Sequence, residues 1–180
     1  VVLYIGANGI SHALEKILTV AKNFKSNSTV KFLFVGDGAT KSKLIQIKSD
    51  EKLDNVFFHS SVKREDVLGF YKLSNANLVP LKNIDGFSEF IPSKIFEILA
   101  SYRPIIASLK GEAANILEES NAAIIVPPED TEMISNAIHK LKEDPELCSQ
   151  LGINGRGFVE KNFNRHQFAE DYLEIMKRIL

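Results

Sequence analysis

The sequence has 180 residues, 44% hydrophobic and 25% charged, with a formal net charge of −1. That composition fits a globular protein with a core of ordinary size, and the near-zero charge excludes a bulk electrostatic attraction to nucleic acid. The single cysteine, Cys148, excludes an internal disulfide and fits a reducing compartment.

No apolar run approaches the roughly 20 residues needed to span a bilayer. No leader-like segment is read at the start, so a cytoplasmic location is expected. The chain opens Val1-Val2-Leu3-Tyr4-Ile5-Gly6, already inside a strand-like run and without an initiator Met. We read residues 1–180 as one domain excised from a longer chain.

Val1–Ile5 predicts a strand, closed by Gly6-Ala7-Asn8-Gly9. Continuous apolar runs of this kind suit strands buried on both faces of a parallel sheet. Ser11 is expected to cap a helix carrying Leu14, Ile17, Leu18 and Ala21. Two glycines are too few for the dinucleotide fingerprint, which leaves a plain tight turn or a phosphate-approaching loop. Val30–Val35 is the second strand, followed by Gly36-Asp37-Gly38 and a helix over Thr40–Ser49. Asp37 reads as a turn former or as a ribose ligand. Val56–His59 is the third strand and Glu65–Leu73 a short helix. Between them Lys63 and Arg64 are either solvated or reach a base or phosphate. His59 reads as a structural residue at the strand end.

Ala76–Leu81 is the fourth strand. A polar loop over Lys82–Phe90 and a helix from Pro92 to Ser101 follow, stopped by Arg103-Pro104. Ile105–Leu109 is the fifth strand, a helix runs from Gly111-Glu112 through Glu119, and Ala122–Val126 is the sixth strand. After Pro127-Pro128 the chain reads as helical: Thr131–Lys142 capped by Asp130 or Thr131, Pro145–Asn162 in one or two pieces, and Arg165–Ile179. Gly152, Gly155 and Gly157 are candidate interruptions of the middle helix. Six strand–helix alternations predict a doubly wound parallel six-stranded sheet with extra carboxyl-terminal helices. Ligands bind such sheets at the carboxyl ends of the strands, where strand order reverses.

One stretch stands out there. Glu89 and Glu97 are separated by seven residues, with Pro92 and Ser93 between them at a helix start. A helix start attracts phosphate, and carboxylates accept hydrogen bonds from sugar hydroxyls. By spacing alone, Lys94 and Glu97 read first as a solvated pair on the polar face of the helix. No cluster of metal-ligand residues is present, so no metal is expected.

The pattern Glu89-x7-Glu97, then Ile98-Leu99-Ala100 and Arg103-Pro104-Ile105-Ile106-Ala107, resembles the donor-site signature of retaining glycosyltransferases of family 4. Phe32–Gly38, Val79-Pro80-Leu81, Gly111-Glu112-Ala113-Ala114 and Ala123–Pro128 agree with it in order. The resemblance implies the carboxyl-terminal, Rossmann-like half of a GT-B enzyme, with a nucleotide-diphospho-sugar as substrate and no cofactor. It implies a missing amino-terminal acceptor half and inactivity of this half alone. Glu97 would bind the ribose. Glu89 would act at the catalytic centre, holding the donor sugar. Backbone N–H groups around Phe90, Ile91, Pro92 and Ser93 would face the diphosphate. Ser61–Lys63, including Val62 and Lys63, would lie along the base, and Gly6, Asn8 and Gly9 near the phosphates.

Two departures are legible. Many members carry an Arg and a Lys after the first strand to neutralise the diphosphate, and this chain has neither there. Phe90 stands where many have glycine. Pro92-Ser93-Lys94 resembles a subgroup of surface-polysaccharide assembly, and Lys94 is the candidate for part of the missing charge. A UDP-linked donor is one expectation, and peripheral contact of the full-length protein with the inner face of a membrane another. The alternatives are half of a GT-B sugar-nucleotide epimerase, or an inactive nucleotide-binding scaffold.

Overall fold

The computed structural model describes residues 1–26 and 29–179. The elements run β1 (Val2–Ile5), α1 (Leu14–Asn23), β2 (Phe32–Val35), α2 (Lys41–Asp50), β3 (Val56–His59), α3 (Arg64–Leu73), β4 (Ala76–Pro80), α4 (Lys94–Leu99), β5 (Ile105–Ser108), α5 (Glu112–Ser120) and β6 (Ala123–Val126). They end with α6 (Thr131–Glu143), α7 (Pro145–Asn162) and α8 (Arg165–Ile179). All strand pairs are parallel, in the order β3-β2-β1-β4-β5-β6. Strand order therefore reverses between β1 and β4, and the switch point opens at the carboxyl ends of these two strands.

Alternation along each strand divides the core into two layers. Val2 and Tyr4 face one layer with Phe32, Phe34 and the apolar sides of α1 and α6. Leu3 and Ile5 face the other, with Tyr71, Val79 and the apolar sides of α4 and α5. All four residues of β1 are buried, which is why the strand reads as a continuous apolar run.

The element order matches the sequence reading, with local corrections. Ser11 does not cap α1. It lies in a 3-10 turn over Ile10–His12, and α1 starts after Ala13, whose φ is 45°. α4 is shorter than its apolar pattern. Ser101 donates to the Ile98 carbonyl at 2.6 Å and Tyr102 turns to φ 60°, which ends the helix early. α7 runs unbroken through its glycines, and two of them are packing devices. A Cβ at Gly152 would lie 2.3 Å from the Tyr102 carbonyl oxygen, and one at Gly155 3.0 Å from Leu99 Cδ2. Asp130, not Thr131, caps α6 by accepting from the Met133 N–H at 2.9 Å. Among the described residues no helix is long and apolar enough to cross a membrane.

Candidate functional site

The loops after β1 and β2 lock against each other. The Asn8 N–H donates to the Asp37 carbonyl at 2.9 Å, and Thr40 donates to the Asn8 carbonyl through its N–H at 3.0 Å and its hydroxyl at 2.8 Å. The Asn8 amide is fully buried and donates to the Gly36 carbonyl at 3.4 Å. Asn8 is therefore a tie between loops, and its side chain does not open toward a ligand. The contact leaves no room for side chains. A Cβ at Gly36, whose φ is +136°, would lie 2.0 Å from the Gly6 carbonyl oxygen. Gly9 precedes the 3-10 turn and its carbonyl accepts from the His12 N–H at 3.3 Å.

After β4 the chain forms a second 3-10 turn, Phe87–Glu89, which rests on the start of α5. Gly111 permits this: its φ is +82°, and a Cβ there would lie 2.1 Å from the Ser88 carbonyl oxygen. Glu89 is exposed at the end of this turn. Phe90 and Ile91 are exposed, Pro92 is buried and Ser93 is exposed. The expectation that N–H groups of this segment point outward holds only in part. The Phe90 N–H turns back to the Phe87 carbonyl at 3.2 Å, whereas those of Ile91, Ser93 and Lys94 meet no acceptor among the described residues.

Lys94 is not a solvated helix residue. The first turn of α4 packs beneath the β1 loop, and the Lys94 ammonium lies 4.3 Å from the centroid of the Tyr4 ring, a cation–π distance. The space of an absent Cβ at Gly6 is what it occupies, at 2.7 Å from that position. Its Nζ is buried with no hydrogen-bond partner among the described residues. Burial pushes Lys94 down to about 8, opposed by the charge of Glu97 on the same helix.

Around this ammonium and Glu97 stand three residues the sequence did not single out. The Tyr4 hydroxyl donates to the Ala7 carbonyl at 2.5 Å, bracing the β1 loop. His12 packs edge-on to Tyr4 at 5.8 Å between ring centroids, and burial together with the Lys94 charge drives it down to about 4. Tyr71, buried on α3, donates its hydroxyl to Glu97 Oε2 at 3.4 Å. Their signal in the sequence is faint, because Tyr4 and Tyr71 sit inside apolar patterns and read as core.

The loop after β3 lies at the same end of the sheet. Asp37 pairs with Lys41 at 2.7 Å and accepts from the Ser61 N–H and hydroxyl at 3.1 and 3.2 Å, so it fastens the β2 and β3 loops together. The Lys41 bond and the Ser61 N–H hold its carboxyl below the usual range. Val62 packs on the second core layer. Lys63 is exposed, 3.6 Å from Glu65. His59 packs against Phe70 and points its Nδ1 at the Ser60 carbonyl, 2.8 Å away, a local structural role. The structure thus gathers Gly6, Gly9, Lys94 and Glu97 around the β1–β4 switch point, with Glu89 on the adjoining turn and Val62–Lys63 on the β3 side.

Comparison with known proteins agrees with this architecture. The family described as glycosyl transferases group 1 matches residues 1–158. The O-antigen chain mannosyltransferase C of Escherichia coli is 21% identical over 179 residues, covering 99% of this chain and 46% of that protein. Among solved structures, Anabaena HepE in complex with UDP and glucose superimposes with a TM-score of 0.84 at 15% identity, over 98% of this chain and 47% of the other. The carboxyl-terminal domain of a group 1 family protein, LpcC of Francisella tularensis, superimposes with a TM-score of 0.75 at 17% identity, over 91% of this chain and 86% of the other. The chain spans less than half the length of the curated relatives it matches. The match over most of its length and the Rossmann-like sheet common to GT-B structures place this chain in the group 1 glycosyl transferases.

Proposed function

We propose that this chain is the donor-binding, carboxyl-terminal half of a retaining glycosyltransferase of family 4, acting on a nucleotide-diphospho-sugar in surface-polysaccharide or glycoconjugate synthesis. The observation that carries the reading is the unpaired Lys94 ammonium behind Gly6, on the same short helix as Glu97 and at the strand-order reversal. A buried cation without an acceptor calls for an anion from outside. A diphosphate at the switch point supplies one.

Each residue then has a task. Glu97, oriented by the Tyr71 hydroxyl, accepts from the ribose hydroxyls. Glu89 accepts from hydroxyls of the donor sugar and holds its ring as it becomes oxocarbenium-like. In transfer the bond from the anomeric carbon to the diphosphate oxygen breaks, a bond to the acceptor oxygen forms on the same face, and the proton of the acceptor hydroxyl passes to the departing diphosphate oxygen. The electron pair of the broken bond stays on the diphosphate, where Lys94 and the free N–H groups of Ile91 and Ser93 stabilise it. No metal enters this scheme. UDP-linked donors are the first to try, because UDP is what the HepE structure holds. The acceptor would bind a second half, which the length of the relatives leaves room for.

Calorimetric titration of the chain with UDP-, GDP- and ADP-sugars tests this. Binding of one of them, with no transfer to any acceptor by this chain alone, is the expected result. Failure of all three to bind would remove the reading.

A further inference from the structure

The inference rests on the donor-site reading and concerns what the resting site does with its charge. Among the described residues two buried cationic nitrogens lack an acceptor, Lys94 Nζ and Arg103 Nε. Arg103 still donates through another guanidinium nitrogen to the Lys72 carbonyl. Lys94 rests instead on the face of Tyr4, with the charge of Glu97 on the same helix as further compensation. An ammonium resting on an aromatic ring is poorly compensated compared with one bonded to phosphate oxygens.

We propose that Lys94 is a transferable counter-charge: its amino group rests on the Tyr4 ring beneath Gly6 and moves to the diphosphate when donor binds, and those molecules in which it rests neutral take up a proton from solvent as it does. The lone pair on neutral Nζ accepts that proton, and nothing else in the site changes its bonding. Glycine at position 6 makes the passage possible, since a side chain there would fill the space the ammonium crosses.

The groups around Lys94 and its neighbour Glu97 come from three elements besides α4. Tyr4 lies on β1, His12 on the 3-10 turn and Tyr71 on α3, with Glu97 one turn further along α4. Burial raises both tyrosine hydroxyls above their ordinary range, and His12 is held down to about 4. Of Tyr4, His12, Tyr71 and Lys94, only Lys94, at about 8, changes charge between pH 6.5 and 8.5. Glu97 favours the charged lysine, and a diphosphate bearing two further negative charges favours it more.

The test is calorimetry of the chain with UDP-glucose and GDP-mannose as probes, in buffers of different ionisation enthalpy. Proton uptake that is larger at pH 8.5 than at pH 6.5 is expected, with severalfold weaker affinity at the higher pH. Lys94→Arg, whose guanidinium stays charged, should bind without proton uptake. Lys94→Met should weaken diphosphate binding at least tenfold and leave uridine binding within twofold. Circular dichroism of each variant checks the fold. Binding by wild type with no uptake at pH 8.5, or the same uptake in Lys94→Arg, would overturn the proposal and leave the donor-site reading standing. Binding of neither probe at any pH would overturn both.

Discussion

The two ends of the sheet differ in kind. At the amino ends of the strands lies a cavity of about 550 Å³, lined by Val2, Ala76, Pro104, Ile138, Leu141 and Cys148 among others. It is mostly apolar, and its Cys148 thiol already donates to the Leu141 carbonyl at 3.0 Å. The carboxyl ends hold, among the described residues, a buried ammonium without a hydrogen-bond partner, three glycines at positive φ after β1 and β2, and N–H groups without acceptors. Volume marks where packing ran short. Unpaired charge marks where the fold is incomplete without a ligand, and that is the stronger sign of function.

The contrast breaks most easily at the loop lock. Gly36→Ala would drive a Cβ into the Gly6 carbonyl from a left-handed backbone. A loss of about 3 kcal/mol or more is expected in denaturant unfolding, since neither backbone can yield without parting the loops. A loss under about 1 kcal/mol would mean the lock is soft.

Lys94→Met should act in the opposite direction on stability. Lys94 falls from 10.5 to about 8 in the folded chain. The unfolded chain therefore binds more protons between these values, so wild-type stability rises with pH across that window, and below about pH 8 the burial penalty is fully present. The variant should gain about 2–3 kcal/mol at pH 7 and lose this pH dependence. Stability given up at a binding site is the usual trade. A less stable variant would contradict it.

His12 gives a smaller effect at acid pH. Its value drops from 6.5 to about 4 on folding, so the unfolded chain takes the proton first and stability is lost as pH falls through that range. His12→Gln should remove about 1–2 kcal/mol of that loss, discounted because the ring is partly exposed. Identical acid profiles for the two proteins would exclude His12 from the buried array. At the amino end, Cys148→Ala should change nucleotide affinity by less than about twofold, within the usual scatter for a distant site. A fivefold loss would mean the two ends are coupled.

Much of this was legible in the sequence, because strand runs such as Phe32–Val35 and the six-fold alternation are backbone-level patterns. The spacing of Glu89 and Glu97 likewise pointed to the carboxyl end of the sheet, where the proposal places the donor. Lys94 shows where the pattern stops. On a helical wheel it shares the polar face with Glu97, and periodicity cannot tell that Lys94 turns under the glycine loop after β1, more than eighty positions earlier. Ser11 failed as a cap for a similar reason. The β1 loop must meet the β2 loop, through Asn8 and Thr40, before α1 begins. Asp37, by contrast, read first as a turn former and second as a ribose ligand, and its bonds to Lys41 and Ser61 agree with the structural reading. Each error is a long-range contact that local rules do not contain.

A double-mutant cycle at Glu97 probes the proposed hold of the carboxyl end on the nucleotide. Wild type and Glu97→Gln are titrated calorimetrically with the nucleoside diphosphate and with its 2′-deoxy form. A charged acceptor replaced by an amide should weaken the ribonucleotide by about 1–2 kcal/mol, on the order of tenfold in Kd. The deoxynucleotide should bind wild type more weakly and lose little further in the variant, because both changes remove one contact. Strictly additive losses would mean that Glu97 does not touch the ribose, and would contradict the account.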